Sequence, residues 1–508
     1  MDGHQSPDLE ARVAGGEMIA VRHLTKRFGT SASPVVALSD IDFSVSEGEL
    51  VVVVGPSGCG KSRLLRMANA IMGEMGMRKA LVCGLALALG GATAWADPIP
   101  AVQSSSNMQI IGHSDLNGAG HGGEGLALKQ YPDGRRVLFL AHESAPMCVS
   151  IIDVTKPEDP KVITQIPVPG PELRCNNLGL SGTTMTVAHQ SDKAGQAGAG
   201  MDVWDVADPA HPKKISYFDT SGPHSRGVHY LWFADGHYAY LTTGAKDFTP
   251  KNPLDDQFLM IVDMSDPSHP KEAGRWWLPG TRDGDKEPPP PRVSNDSGIR
   301  MHTPIVSADR PDRAYVGWID GGWVILDISD KAHPKLVAHR SWQSQDVGFA
   351  HTVLPIVARG LAIQTEEAVE QNCKDWPKRD WVWDISNEKA PIALSVMPPP
   401  ADFDALCKQG GRFGAHNIAQ NRPDPTARKL TKTVVGSFFN GGVRVYSIAD
   451  AHDPKEIGFI VDAPPKGNPS HSIQINDVYV DENGLIYAND RFTGGLDIIR
   501  YTGSVPLE

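Results

Sequence analysis

The stretch that decides the fold is residues 323–334, WVILDISDKAHP. A short apolar run ends at Asp327, and a polar turn closes on Pro334. The same pattern recurs as VSIIDVTKPEDP (149–160), MDVWDVADPAHP (201–212), LMIVDMSDPSHP (259–270), WVWDISNEKAP (381–391) and VRVYSIADAHDP (443–454), with a clipped copy, GLDIIRYTG, at 495–503. Repetition of one such unit along a chain is the mark of stacked supersecondary modules. The signature positions Asp153, Asp205, Asp263, Asp327, Asp384, Ser447 and Asp497 define seven units, 50 to 64 residues apart.

Each unit holds more than its signature. In 301–342 the segments MHTPIVS, RAYVGWI, GGWVILDIS and PKLVAHRSW are four apolar runs of strand length, separated by Gly, Asp and Pro. Four antiparallel strands repeated around an axis make a propeller blade. The sequence therefore predicts an all-β, seven-bladed β-propeller over 97–508. Extra length falls in polar, Pro-rich loops such as 280–296. The last unit stops near Tyr501 without a fourth strand, whereas an orphan strand, Met108-Gln-Ile-Ile-Gly-His113, precedes the first unit. That N-terminal strand is expected to complete the last blade and close the ring, leaving no open sheet edge.

The chain has 508 residues and a formal charge of −12. All of the net charge lies after residue 96, so a general nucleic-acid surface, which needs a basic face, is not expected. The first 74 residues read differently from the rest. The apolar run Leu50–Val54 leads into Gly55-Pro-Ser-Gly58-Cys-Gly60-Lys61-Ser62, followed by the helical pattern RLLRMANAI. In this strand–loop–helix setting the backbone N–H groups would cradle phosphates, with Lys61 on the outer phosphates and Ser62 on Mg²⁺. Residues 18–72 resemble the start of an ATP-binding-cassette transporter ATPase, in which an aromatic placed like Phe28 stacks on adenine. The resemblance implies ATP and Mg²⁺ at Gly55, Gly58, Gly60, Lys61 and Ser62. It then stops. No second acidic strand, glutamine loop or Ser-Gly-Gly signature follows, and Arg63 stands where that family has Thr. The expectation is a short, truncated α/β fragment over 1–74.

Residues 75–96, MGMRKALVCGLALALGGATAWA, join a basic start to an apolar run and an Ala-Trp-Ala end. This is the three-part pattern of a secretory signal, cleaved after Ala96, and the apolar run is short for a membrane span. The expected product is periplasmic or secreted. Four cysteines follow the signal: Cys148, Cys175, Cys373 and Cys407. An even count in an oxidising compartment favours disulfides. Sequence proximity suggests Cys148–Cys175 and Cys373–Cys407, although three pairings are open.

The repeated Asp-[Ile/Val/Met]-[Ser/Thr]-type turns, with Asn489-Asp-Arg-Phe-Thr-Gly-Gly-Leu496, resemble the LVIVD-repeat family of exported β-propellers, over essentially all of 108–503. The resemblance implies a propeller and no particular reaction. More remotely, the layout is similar to selenium-binding and methanethiol-oxidase propellers, which implies metal on channel histidines.

Sixteen histidines lie beyond residue 96, and most fall into two sets. His211, His269, His333 and His452 recur inside the signature turn, where capping or solvating the turn accounts for them. The second set opens the first strand of successive units: His229, His302, His351, His416 and His471. The corresponding places in the first two units hold Glu124 and Asn176–Asn177. First strands line a propeller's channel, so one position per blade converges on one ring. Imidazoles gathered there suit Zn, Cu, Fe or Ni. Glu366 or Glu367, at the end of a second strand, could add a carboxylate ligand or general base. Alternatively, polar channel residues only organise water. Three functions follow as expectations: a propeller binding a metal or small ligand at its channel mouth, with or without catalysis; a scaffold for another envelope protein; or an ATP-binding transporter component.

Overall fold

Apolar runs of five to eight residues can be fully buried as strands only if both faces of their sheet are covered, and a ring of radially packed blades does that. The computed structural model describes residues 17–28, 35–46 and 97–508 except 293–295, 342–347 and 466. It divides into two compact units, Met1–Thr93 and Ala94–Glu508. In the first, strands β1 (Glu17–Phe28) and β2 (Val35–Ser46) pair antiparallel, with Val21 opposite Phe43. The phosphate-loop motif at 55–62 and the leader-like segment at 75–96 lie outside the described residues.

The second unit is a seven-bladed β-propeller, one antiparallel sheet per blade. The third blade shows the plan: Val228–Phe233 innermost, then Tyr238–Thr243, Phe258–Asp263 and Lys271–Trp276 outermost. Its inner three strands are buried almost throughout, and its fourth is largely exposed or half-buried. Tryptophans pack between blades. Trp276 meets Trp318 edge-on at 5.1 Å, and Trp323 meets Trp383 at 5.2 Å.

The signature lies where the third strand turns into the fourth. Asp327 Oδ1 accepts the Ser329 N–H, and Asp330 Oδ1 accepts the Ala332 N–H. His333 Nδ1 bonds the Asp330 carboxylate, as His211 bonds Asp208 and His269 bonds Asp266. These are local Asx turns, and their exposed histidines belong to the turn. Just before the turn, the pairing of third with fourth strand slips by one residue in all seven blades, for example between Ile261 and Val262. Such a bulge adds twist.

The ring closes twice. Strand β3 (Val102–Ser106) adds to the outer edge of the sixth blade against Lys455–Asp462, and β4 (Met108–Ser114) supplies the missing fourth strand of the seventh against Leu496–Tyr501. The second closure is the expected one. The first is an addition that the sequence reading did not contain. At one point the register differs from expectation. In the second to sixth blades the signature residue pairs with the first residue of the second strand, as Asp263 does with Tyr238. In the seventh that partner, Leu485, faces Arg500, so Arg500 holds the signature position and Asp497 lies near the start of its strand, bonded to His113. Disulfides join Cys148 to Cys175 and Cys373 to Cys407, with Cα separations of 4.9 and 5.4 Å. Among the described residues no helix is long and apolar enough to cross a membrane.

Candidate metal centre

The channel-facing residues are set by a second, inner bulge. Between Val228 and Tyr230, between Ala350 and Val353, between Ile475 and Asp477 and between Gly122 and Leu126, the first and second strands lose register. Those gaps contain His229, His351, Asn476 and Glu124. A bulge re-aims the side chain it carries, and here the side chains turn towards the axis. His302 and His416 sit just ahead of their inner segments, with main-chain N–H bonds to Gly317 and Ser437. Neighbouring blades hold these backbones in place. Thr242 donates its hydroxyl to the His302 carbonyl, Thr365 to that of His416 at 2.9 Å, and Asn177 donates its amide to that of Glu124 at 2.6 Å.

Four imidazoles and two carboxylates meet as a result. The donor atoms of Glu124, His351 and His416, of Glu124, His229 and His302, and of His302, His351 and Glu367 form three overlapping groups, each within 4.8 Å. The Nε2 atoms of His229 and His302 face one another at 2.8 Å. His351 Nε2 lies 3.5 Å from Glu124 Oε2, and His416 Nε2 lies 3.8 Å from Glu124 Oε1 and 3.7 Å from Glu367 Oε1. All six residues are buried.

The opposite edges of the rings are tethered. His416 Nδ1 donates to the Asn476 carbonyl at 2.7 Å, and His229 Nδ1 donates to Gln190 Oε1 at 2.8 Å. Both bonds place the hydrogen on Nδ1 and leave the Nε2 lone pair pointing inward. His302 and His351 rest their Nδ1 atoms on the hydroxyls of Thr303 and Thr352. Glu124 is oriented by the Asn176 amide at 2.9 Å, and Glu367 by Arg412 at 2.8 Å. Meanwhile His351 Nε2, His416 Nε2 and Glu124 Oε2 are buried without a hydrogen-bond partner. Buried polar atoms are rarely left so. Inward lone pairs with outward tethers are how ligating histidines are held, and the residues fit a bound transition metal.

Electrostatics agree. Burial drives the imidazoles of His229, His302 and His416 well below their ordinary range, and the neighbouring His351 adds repulsion at His302 and His416. They are therefore neutral, as ligation requires. Burial opposes ionisation of Glu124, but His351, 3.5 Å away, and the surrounding imidazoles prevail and hold it well below the usual carboxylate range. Glu367 is raised by burial, which Arg412 partly offsets.

Two expected members are elsewhere. His471 is exposed, in a turn at φ 60°, with its main-chain N–H on Asn468. The seventh blade instead presents Asn476, whose carbonyl tethers His416. Glu366 adjoins Glu367 on the strand end, so the two point to opposite faces. Its carboxylate accepts Trp381 Nε1 at 2.7 Å and the Arg379 N–H at 3.1 Å, and burial pushes it up to about 8. Gln190 and Arg412 had no sequence signal, since both come from outside the repeated position. Cys148, Cys175 and His189 also cluster, but the two sulfurs are bonded to each other.

Comparison with known proteins separates the two parts of the chain. The LVIVD repeat model matches residues 255–276 and 312–339, and the ABC transporter model matches 38–77. One stretch is 48% identical over 54 residues to the methionine import ATP-binding protein MetN 1 of Rhodococcus jostii, covering 11% of this chain and 16% of that protein. Another match, 51% over 49 residues, is to the sulfate/thiosulfate import ATP-binding protein CysA of Ralstonia nicotianae, covering 10% and 12%. The chain thus spans about a sixth or less of these curated relatives' length. Among solved structures, the β-propeller domain of Cps50 (Swd1) from Myceliophteria thermophila aligns over 74% of this chain and 96% of its own, at 13% identity and a TM-score of 0.46. The computationally designed Ika8 protein aligns over 75% and 96%, at 11% identity and a TM-score of 0.39.

Proposed function

We propose that the propeller is an exported metalloprotein that holds a transition-metal ion at its channel mouth and acts there on a small substrate. The observation that carries this reading is the convergence of four inward-facing Nε2 atoms, drawn from four blades, with Glu124 and Glu367 in one buried cluster. A bound ion would supply Lewis-acid or redox chemistry. The chain's part is to fix the donor set. Gln190 and the Asn476 carbonyl hold their imidazoles in one tautomer, Asn176 aims Glu124, and Arg412 orients Glu367 beside the ring and partly offsets its burial. Export is supported by the leader-like pattern at 75–96 and by the two disulfides. Nucleotide binding is not part of this reading, because the stretch similar to transporter ATPases lacks the other elements that such a site needs.

The test is elemental analysis by plasma mass spectrometry of the full chain, purified without chelator, beside a His302→Ala/His351→Ala double variant. Near-stoichiometric metal in the wild type and its loss in the folded variant are expected. A folded wild type without metal would overturn the proposal. For export, a mature N-terminus at Asp97 is expected, and peptides from residues 1–60 in the native protein would contradict it.

A further inference from the structure

A cavity of about 580 Å³ adjoins the cluster, with Arg174, Arg412, Arg491, Glu143 and Gln190 in its wall. It is continuous with the centre through two bonds already described, Gln190 to His229 and Arg412 to Glu367. The three guanidinium groups are not equally occupied. Arg174 is used on both edges, donating to Gln190 Oε1 and to Glu143. Arg412 donates from its side chain only to Glu367, and Arg491 only to Glu143. Each of the latter two thus keeps N–H groups with no partner among the described residues.

These two half-used guanidinium groups are neighbours. Both lie over the ring of Phe439, with their Cζ atoms 5.5 and 5.7 Å from its centroid. The same ring stacks on His416 at 4.5 Å. Two like charges over one ring repel, and the repulsion is strongest where water is scarce. An oxyanion between them would convert it to attraction, and the guanidinium fork matches a carboxylate. Glu143 sits beside Arg491 with Oε2 buried and unpartnered, an acceptor awaiting a donor. The acidic residues Glu172 and Asp192 on the rim are exposed, so water screens them. The volume lies within the range of small-molecule sites.

We propose that this cavity binds a small organic carboxylate that also carries a hydroxyl or amino group, its carboxylate on Arg412 and Arg491 and its donor on Glu143. The assignment rests on the reading of the channel mouth as the working site, and it names the substrate class of that site. It places the substrate's anionic end on the two guanidinium groups that cover Phe439, the ring that stacks on His416.

The experiment is calorimetric titration of the full chain with L-malate, its uncharged diamide and inorganic phosphate, with the protein both chelator-stripped and metal-loaded. Malate is expected to bind the stripped protein and to weaken as NaCl is raised. Arg412→Gln and Arg491→Gln should each weaken it roughly tenfold or more, and Arg491→Lys less, as expected for loss of a charge-assisted fork. Equal binding of malate and diamide by the wild type would overturn the inference, even if no variant folds. So would unchanged malate affinity in glutamine variants that melt like the wild type. Phosphate binding as tight as malate would overturn the carboxylate assignment. Malate binding that obeys these rules in a protein found to carry no metal would leave this inference standing and remove the metal. Metal without malate selectivity would do the reverse.

Discussion

Proton competition offers a quantitative test of the metal centre. At an ordinary site each ligating imidazole, with a pKa near 6.5, must shed a proton before metal binds, so acidification weakens binding. Between pH 7.5 and 5.5 each such group costs a factor of about ten, and three together about a thousand. In this protein burial holds His229, His302 and His416 well below that range. The sign follows: a depressed imidazole pKa keeps the group neutral as pH falls through 6.5, so none of these three takes up a proton there. Glu367 runs the other way. Burial raises it, so it takes up its proton at a higher pH than an ordinary carboxyl. Metal affinity should therefore fall by much less than the thousandfold that three ordinary imidazoles would give between pH 7.5 and 5.5. Titration against a chromophoric chelator at several pH values gives the slope, and calorimetry in buffers of different ionisation enthalpy counts the protons released. A thousandfold fall across that window, an average slope of about 1.5 protons per ion, would mean that the imidazoles are solvated and ordinary, and would refute the buried-ligand argument.

Three further outcomes follow from particular contacts. Asn176→Ala removes the amide that aims Glu124 and should cost roughly ten- to a hundredfold in metal affinity with the fold intact; unchanged affinity would remove Glu124 from the donor set. Replacing Cys148 and Cys175 with serine opens a 27-residue loop and should lower stability by about 3.5 kcal/mol in urea melts; an unchanged midpoint would mean that the packing of the first two blades already fixes that loop. Glu366, raised by burial to about 8, contributes stability that is fully present below its unfolded pKa near 4.5 and is lost as pH rises through 8. Relative to wild type, Glu366→Gln should thus gain about 1.4 kcal/mol per pH unit across that interval, and a pH-independent difference would show that the carboxyl is ionised throughout.

What the sequence disclosed depended on whether a residue occupies a repeated position. The signature turns were legible because each is a local Asx device: Asp327, Asp330 and His333 bond within seven residues, so the pattern and the structure are the same fact. Four of the five proposed channel histidines meet because one inner-strand position per blade converges on the axis. The fifth failed through a register error. Arg500, not Asp497, holds the last signature position, and the seventh inner strand begins at Ile475, so Asn476 and not His471 takes the channel place. A local cue existed. His229, His302, His351 and His416 each follow an apolar residue, and so does Asn476 after Ile475, whereas His471 lies between two serines.

Glu366 and Glu367 show a second limit. Adjacent residues on a strand face opposite ways, and composition alone cannot say which faces the axis. The structure puts Glu367 on Arg412 and Glu366 on Trp381. The cavity wall was beyond reach for a deeper reason. Arg174, Arg412 and Arg491 come from three blades, and Gln190 lies on the second strand of the blade that carries Arg174. None repeats, so nothing in the chain marks them as neighbours. In a propeller the repeat fixes the ligand ring, because every blade must contribute at the same height. The loops that rise above the ring answer to no period. The ring of histidines and carboxylates was therefore readable from the sequence, and the cavity wall beside it had to wait for the side chains to be placed over Phe439.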